Sequence, residues 1–233
     1  MKIALFGVSE IKAGKHNLKD PRLDRADQLV EADRKTYAQV DLLNEEGLLE
    51  ADAILALNDT KADLILKDLE FVETRLGRDP QPEERAVLEK IKSLLESERF
   101  LFQSGLTPQE LQAVAAHSFF TNKPITVGSR EELQQADALL LRAFHEAGYI
   151  CFLTVGGKEN RAWAIRQGTT AWEAAGAIHT DIQKGFIRAE IISFADFIAA
   201  GGETQAKRAG KQRLETKQYV VHDYDLTNFR FNK

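Results

Sequence analysis

Apolar and polar positions divide the chain into stretches of different period. Residues 2–8 (KIALFGV) form a short, nearly continuous apolar run, which predicts a buried strand ended at Gly7. Residues 9–20 are polar and contain Gly14, which predicts a loop. Asp20-Pro21-Arg22-Leu23-Asp24 opens a short helix, since Pro is tolerated in a first turn. The stripe of that helix (Leu23, Asp27, Val30) is poor. Tyr37 and Val40 stand among polar neighbours and predict a strand over 35–41. Residues 51–57, with the run Ala53-Ile54-Leu55-Ala56-Leu57, predict a strand covered on both faces.

The period then lengthens. Leu66, Leu69, Val72 and Leu76 recur at helical spacing over 60–76, and Val87, Leu88, Ile91, Leu94 and Leu95 do so from about residue 83. Arg78-Asp79-Pro80-Gln81-Pro82 breaks the chain between them, so the two helices form an antiparallel hairpin. Thr107-Pro108-Gln109-Glu110 is a helix start with a capping box. Pro124-Ile125-Thr126-Val127 returns to strand, and 131–147 is helical through Leu133, Leu140 and Phe144.

Composition adds bounds. A chain of 233 residues, 43% hydrophobic and 29% charged, has room for one or two ordinary globular domains. Its single cysteine, Cys151, excludes an internal disulfide framework and fits a reducing cytoplasm, and the apolar run around it predicts a buried structural thiol. No apolar run approaches the ~20 residues that span a bilayer, and the N-terminal run lacks the form of a signal peptide. The net charge of −5 is uneven: residues 151–233 carry 12 Lys+Arg against 9 Asp+Glu, a net of +3, which leaves −8 on the rest.

The last third carries the most specific pattern. It runs through Arg161-Ala162-Trp163, Ala174-Ala175-Gly176-Ala177-Ile178-His179-Thr180-Asp181, Lys184-Gly185-Phe186-Ile187-Arg188-Ala189-Glu190, Gly201-Gly202-Glu203, Tyr219-Val220-Val221-His222-Asp223 and Phe229-Arg230-Phe231-Asn232. This resembles the C-terminal TGS domain of the YchF (Obg-like) nucleotide triphosphatases, a small ubiquitin-like β-grasp module. Upstream, Asp20-Pro21-Arg22-Leu23-Asp24, Glu50-Ala51-Asp52-Ala53-Ile54, residues 64–76 and Phe120-Thr121-Asn122-Lys123-Pro124 resemble further segments of that family. The resemblance implies an α/β chain: a reduced P-loop-GTPase-like parallel sheet (1–58 and 119–150), an inserted coiled-coil-like helical hairpin (59–118) and a C-terminal TGS domain (151–233). In two places the chain departs from the family. Trp172 stands where Pro is usual, and Asp223-Tyr224-Asp225 replaces Asp-Gly-Asp, where Gly would support a turn with positive φ.

The nucleotide motifs that the family implies are damaged. A P-loop needs G-x-x-x-x-G-K-[ST], with backbone N–H groups around the phosphates and a hydroxyl on Mg²⁺. Here Gly7 and Gly14-Lys15 are separated by six residues, and His16 replaces the hydroxyl residue. Asp41 ends a strand as the metal-side Asp would, but Asn44 stands where D-x-x-G needs Gly. After the strand at 124–127, Gly128-Ser129-Arg130-Glu131 offers no Asn for base selection. Phosphoryl transfer needs phosphate, metal and water positioned together. The expectation is therefore a non-catalytic protein without cofactor. The alternative is an ATP- or GTP-binding protein, or slow hydrolase, using Gly7, Gly14, Lys15 and Asp41 with Mg²⁺.

The histidines show no metal-ligand spacing, and His179-Thr180-Asp181 predicts a turn with Asp181 as cap. Candidate partner-binding residues are Arg161, Trp172, Lys184, Arg188, Lys207, Arg208, Lys211, Arg213 and Lys217. A basic face with an aromatic suits RNA phosphate and base stacking, while Trp163, between Ala162 and Ala164, suits the core. By resemblance the partner is the ribosome or another RNA–protein surface, with no membrane and no DNA specificity. A small-ligand sensor is a third possibility.

Overall fold

The computed structural model describes residues 1–102 and 104–232. Its elements, in chain order, begin with β1 (Lys2–Phe6), β2 (Gly14–Asn17), α1 (Pro21–Leu29), β3 (Arg34–Thr36), β4 (Gln39–Leu43), β5 (Ala53–Leu57), α2 (Lys61–Leu76) and α3 (Pro82–Glu96). They continue with α4 (Pro108–Ala113), β6 (Ile125–Gly128), α5 (Ala136–Glu146), β7 (Tyr149–Thr154), β8 (Glu159–Arg166), α6 (Ala171–Ile178) and α7 (Thr180–Lys184). Last come β9 (Phe186–Ile192), α8 (Phe194–Ala200), α9 (Glu203–Arg208), β10 (Arg213–Glu215) and β11 (Leu226–Phe231). The chain divides into two compact units, Met1–His16 with Val40–Ala147, and Asn17–Gln39 with Gly148–Lys233. The segment 17–39 thus falls with the C-terminal residues, although the sequence pattern groups it with the N-terminal body.

The first unit holds a sheet of order β2-β4-β1-β5-β6, in which β1 is parallel to β4 and β5, and β5 is parallel to β6. Every residue of β5 is buried, as its unbroken apolar run requires. Two expectations change here. Residues 9–20 are not all loop, because Gly14–Asn17 forms edge strand β2, whose glycine and three polar side chains gave no apolar signal. The stretch 35–41 is two strands in two different sheets, β3 and β4.

Within this unit α2 and α3 form the expected hairpin. Ile65, Val72, Val87, Leu88, Ile91 and Leu95 share one apolar cluster with Leu101, Val114 and Phe119. The neck of the hairpin is closed by Asp68, which is 2% exposed. Its carboxylate accepts from the Phe120 N–H at 3.0 Å and from the N–H and hydroxyl of Thr121, each at 2.7 Å. Thr107 and Glu110 make both bonds of the capping box ahead of α4. The helix expected over 131–147 begins as a 3₁₀ turn, Glu132–Gln135, before α5.

Glu84, at the start of α3, bridges the end of α2 and the segment after α4 through a forked ion pair with Arg75 (2.7 and 2.8 Å) and a bond to His117 (2.8 Å). Arg75 first, and His117 second, lower its pKa from 4.5 to about 2. A depressed carboxylate stabilises the fold above its unfolded pKa and loses that contribution as pH falls through the folded value. The stability difference between wild type and Glu84→Gln is therefore expected to be full near pH 5. It should shrink between about pH 4.5 and 2, read as urea midpoints at each pH.

The second unit holds a sheet of order β10-β9-β11-β7-β8-β3. β7 and β8 are an antiparallel hairpin, β11 lies parallel to β7 and antiparallel to β9, and β3 adds parallel to β8. One face is packed by α6: Ala171, Ala174 and Ala175 meet Ile150, Phe152, Ile165, Ala189, Ile191 and Phe229. Small residues on α6 permit that close approach. Trp163 packs against the same cluster, stacked on Phe152. His179, not Asp181, caps α7, its Nδ1 accepting from the Asp181 N–H at 3.1 Å.

The segment 17–39 is tied into this unit by charge. Asp20 caps α1 and is bonded twice by Arg22 Nε (3.1 Å each) and once by Nη2 (2.7 Å). Arg22 Nη1 reaches Asp223 at 2.6 Å, and the guanidinium lies 3.7 Å over the Tyr224 ring. Asp223 also accepts the Cys151 N–H at 3.0 Å. Burial, then the charges of Asp223 and Asp20, push the Cys151 thiol far above its usual range, so it is an inert core group. Among the described residues no helix is long and apolar enough to cross a membrane.

Candidate functional site

In an open parallel sheet, ligands bind beyond the carboxyl ends of the strands where the strand order reverses. In the first unit that point is the end of β1, because the chain continues to β4 on one side and β5 on the other. Gly7 sits there with φ +66°, and a Cβ on it would lie 2.3 Å from Thr60 Cγ2. The fold therefore demands glycine at this position for steric reasons. Its N–H, a natural phosphate donor, already bonds the Glu45 carboxylate at 3.1 Å. Nearby, Arg130 bridges Asp59 (2.8 Å) and Glu10 (3.3 Å). The mouth of the sheet is thus lined by three carboxylates, two of them shared by one guanidinium.

The other candidate nucleotide residues stand elsewhere. Gly14 and Lys15 are exposed on β2, separated from β1 by β4. The loop after β1 runs into that strand and not into a helix, so no helix N-terminus stands behind Lys15. His16 contacts Asp137 at 3.3 Å. Asp41 pairs in register with Lys2, at the start of β1, and so lies at the opposite end of the strand from Gly7, about 16 Å away at ~3.3 Å per residue.

The nine candidate partner residues fall into separate groups on the second unit. Trp172 is 43% exposed at the second position of α6. Its N–H donates to the Lys217 carbonyl (3.3 Å), and Ala171 donates to Tyr219 (2.7 Å), so the 217–221 loop is pinned to the first turn of α6. Arg213 donates to the Tyr219 hydroxyl at 3.0 Å and pairs with Glu215 at 3.1 Å. Arg161 lies over Trp163 (3.9 Å), beside the packed face of the sheet. Lys207 pairs with Glu203 (2.7 Å), and Lys211 with Asp196 (3.0 Å). Lys184 ends α7, Arg208 ends α9, and Arg188 is exposed on β9. Among the described residues, Lys184, Arg188, Arg208 and Lys217 have no carboxylate at ion-pair distance.

Sequence reasoning missed three groups. Tyr219 bonds buried Asp225 at 2.7 Å and His222 at 2.9 Å, and burial, reinforced by Asp225, raises its hydroxyl pKa. Arg230 is held by Glu190 and stands directly opposite Arg188. Arg22 serves as the clamp described above. Arg230 and the Arg22–Asp223 pair are assembled by strand pairing and by contacts across the unit, which local spacing does not signal. Tyr219, His222 and Asp225 stand three residues apart, and that spacing was the one signal that could have found them. No group of three or more His, Cys, Asp or Glu that could hold a metal occurs among the described residues.

Comparison with known proteins brings in relatives. The family model YchF-GTPase_C, described as a protein of unknown function (DUF933), matches residues 149–232. The "Ribosome-binding ATPase YchF" of Haemophilus influenzae is 31% identical over 260 aligned positions, covering 85% of this chain and 71% of that protein. The protein of the same name from Escherichia coli O157:H7 is 59% identical over 81 residues, which are 35% of this chain and 22% of that one. Among solved structures, the Schizosaccharomyces pombe YchF GTPase superposes with a TM-score of 0.72 at 18% identity, over 98% of this chain and 97% of that one. At that identity the superposition establishes the shared mixed α/β fold.

Proposed function

The chain belongs to the YchF (Obg-like) ATPase family, and from that premise we propose that it is a member without nucleotide chemistry that works as a ribosome-associated interaction module. The observation that carries the proposal is the Glu45 carboxylate on the Gly7 N–H. It puts a fixed negative group where a phosphate would be received, and Lys15 is two strands away. Triphosphate carries several negative charges, and the carboxylates at this mouth repel them. The same geometry supports the expectation of no cofactor.

In this reading 1–16, 40–58 and 119–147 form a reduced body, since 17–39 falls with the C-terminal unit, and 59–118 is the inserted hairpin. Residues 151–233 form a β-grasp module of TGS type. The β-grasp assignment is supported by the β7–β8 hairpin, α6 across it, and β11 inserted parallel to β7 and antiparallel to β9. The module carries the partner surface, with Trp172 and Lys217 together and with Arg188 on the sheet. The cytoplasmic ribosome is the partner, since the relatives carry "ribosome-binding" in their names.

The names of those relatives also contain "ATPase", which favours a second reading in which the loop at Gly14 and Lys15 binds ATP or GTP with Mg²⁺. Calorimetric titration separates the two. We expect no heat of binding up to millimolar ATP or GTP, with or without Mg²⁺, while the protein co-sediments with ribosomes. Micromolar nucleotide binding that Lys15→Ala abolishes would establish the second reading instead.

A further inference from the structure

β9 and β11 are antiparallel neighbours, and their register sets Arg188 directly opposite Arg230, one step from Glu190 opposite Asn228. Leu214 of β10 is in turn opposite Glu190. Alternate residues Ala189, Ile191 and Phe229 point into the core beneath α6. Arg188, Glu190, Asn228, Arg230 and Leu214 therefore share the other face. Leu214 is 58% exposed there, and Arg188, Asn228 and Arg230 are exposed as well.

Like charges directly opposite across a sheet destabilise it. Glu190 relieves only one of this pair: it is nearly buried, accepts from Asn228 at 2.9 Å, and holds the Arg230 guanidinium. Arg188 has no such partner among the described residues, and its Nη1 bonds only the Ile187 carbonyl at 3.2 Å. One guanidinium is thus held by a buried carboxylate that an amide also bonds, and a second, on the residue directly opposite in the register, is left to solvent. An anion seated between them would cancel the repulsion and accept from both forks. A phosphate group has the charge and oxygen geometry for that, and arginine is the residue suited to it.

We propose that Arg188 and Arg230 form a phosphate-binding site on the open face of this sheet, of the kind that takes an RNA phosphodiester or a free phosphate ester. Leu214 gives the sugar or base of the same nucleotide an apolar surface beside it. Its use on the ribosome rests on the function proposed above, whereas the site itself is tested separately.

Three measurements on the full chain, wild type and Arg188→Gln, decide it. In phosphate-free buffer Arg188→Gln is expected to melt at or above the wild-type temperature, because it removes a repulsion. Inorganic phosphate should raise the melting temperature of the wild type more than chloride does at equal ionic strength, and this excess should vanish in Arg188→Gln. A single-stranded RNA of about 12 nucleotides should bind Arg188→Gln roughly tenfold more weakly at low salt, with the slope of log K against log salt reduced by about 1. Loss of the phosphate effect with unchanged RNA affinity supports the site and assigns it to a free phosphate ester. A phosphate effect in a protein that does not bind ribosomes keeps the site and ends the ribosome reading. Identical phosphate and RNA responses in wild type and variant overturn the proposal.

Discussion

Arg22→Ala is expected to lower the unfolding free energy by about 2–3 kcal/mol, less than breaking a fully buried ion pair costs, because Arg22 and Asp223 are 33% and 30% exposed and water screens them. The reason lies in what remains. Asp20 has a side chain 3% exposed and takes three of the Arg22 bonds; Asp223 takes the fourth. Burial opposes the charge on Arg22, yet the bonds from Asp20 and Asp223 outweigh it and raise its pKa further. Removal of the guanidinium takes from two carboxylates the cation that bonds both, and one of them has little access to water. Arg22→Lys keeps a charge but not the fork, so it should fall between wild type and Ala. Urea unfolding measures both. A loss below about 1 kcal/mol for Arg22→Ala would mean that water takes over the bonds, as it does at exposed pairs.

How much of this could be read in the chain depends on how local the signal is. The buried strand β5 and the helical hairpin were legible because burial on both faces, or on one stripe, leaves a period in the sequence. The capping box at Thr107 was legible because its two partners are three residues apart. β2 was not, since an edge strand with no buried side chain leaves no period. The break between β3 and β4 was hidden for a related reason: Arg34-Lys35-Thr36 is polar throughout and gives no signal of its own, so β3 merged with the alternation of β4, which does not say that the two join different sheets.

The site shows the same limit. The spacing of Gly7, Gly14 and Lys15 and the identity of His16 argued against a P-loop from sequence alone. The Glu45 bond to Gly7 could not be foreseen, because it joins the ends of β1 and the turn after β4, 38 residues apart. Arg188 was picked out as one basic residue in a run, but its facing partner Arg230 is 42 residues later and is brought to it only by register. Both halves of the Arg22–Asp223 pair lie in motifs visible in the sequence, but their meeting across 201 residues was not visible.

Tyr224 is where those distant motifs converge, and Tyr224→Gly gives the second large effect. The turn holds a left-handed backbone, φ +62°, although a tyrosine occupies the position. That conformation costs a non-glycine residue about 1 kcal/mol or more. The ring compensates: it is 1% exposed, meets Phe194 edge-on at 5.5 Å, and lies under Arg22. Truncating a buried ring costs about 3–5 kcal/mol. Tyr224→Gly recovers the backbone term, so its net loss should be about 2–4 kcal/mol, while Tyr224→Ala should lose about 1 kcal/mol more because it keeps the strain. The Gly variant being the more stable of the two is the decisive sign, measured by urea unfolding. If Ala is equal or better, the turn relaxes without its ring and the strain is not there to relieve. Combined with Arg22→Ala, the Gly variant should lose less than the sum of the two, by about 1–2 kcal/mol, since the guanidinium–ring contact is counted in both single losses.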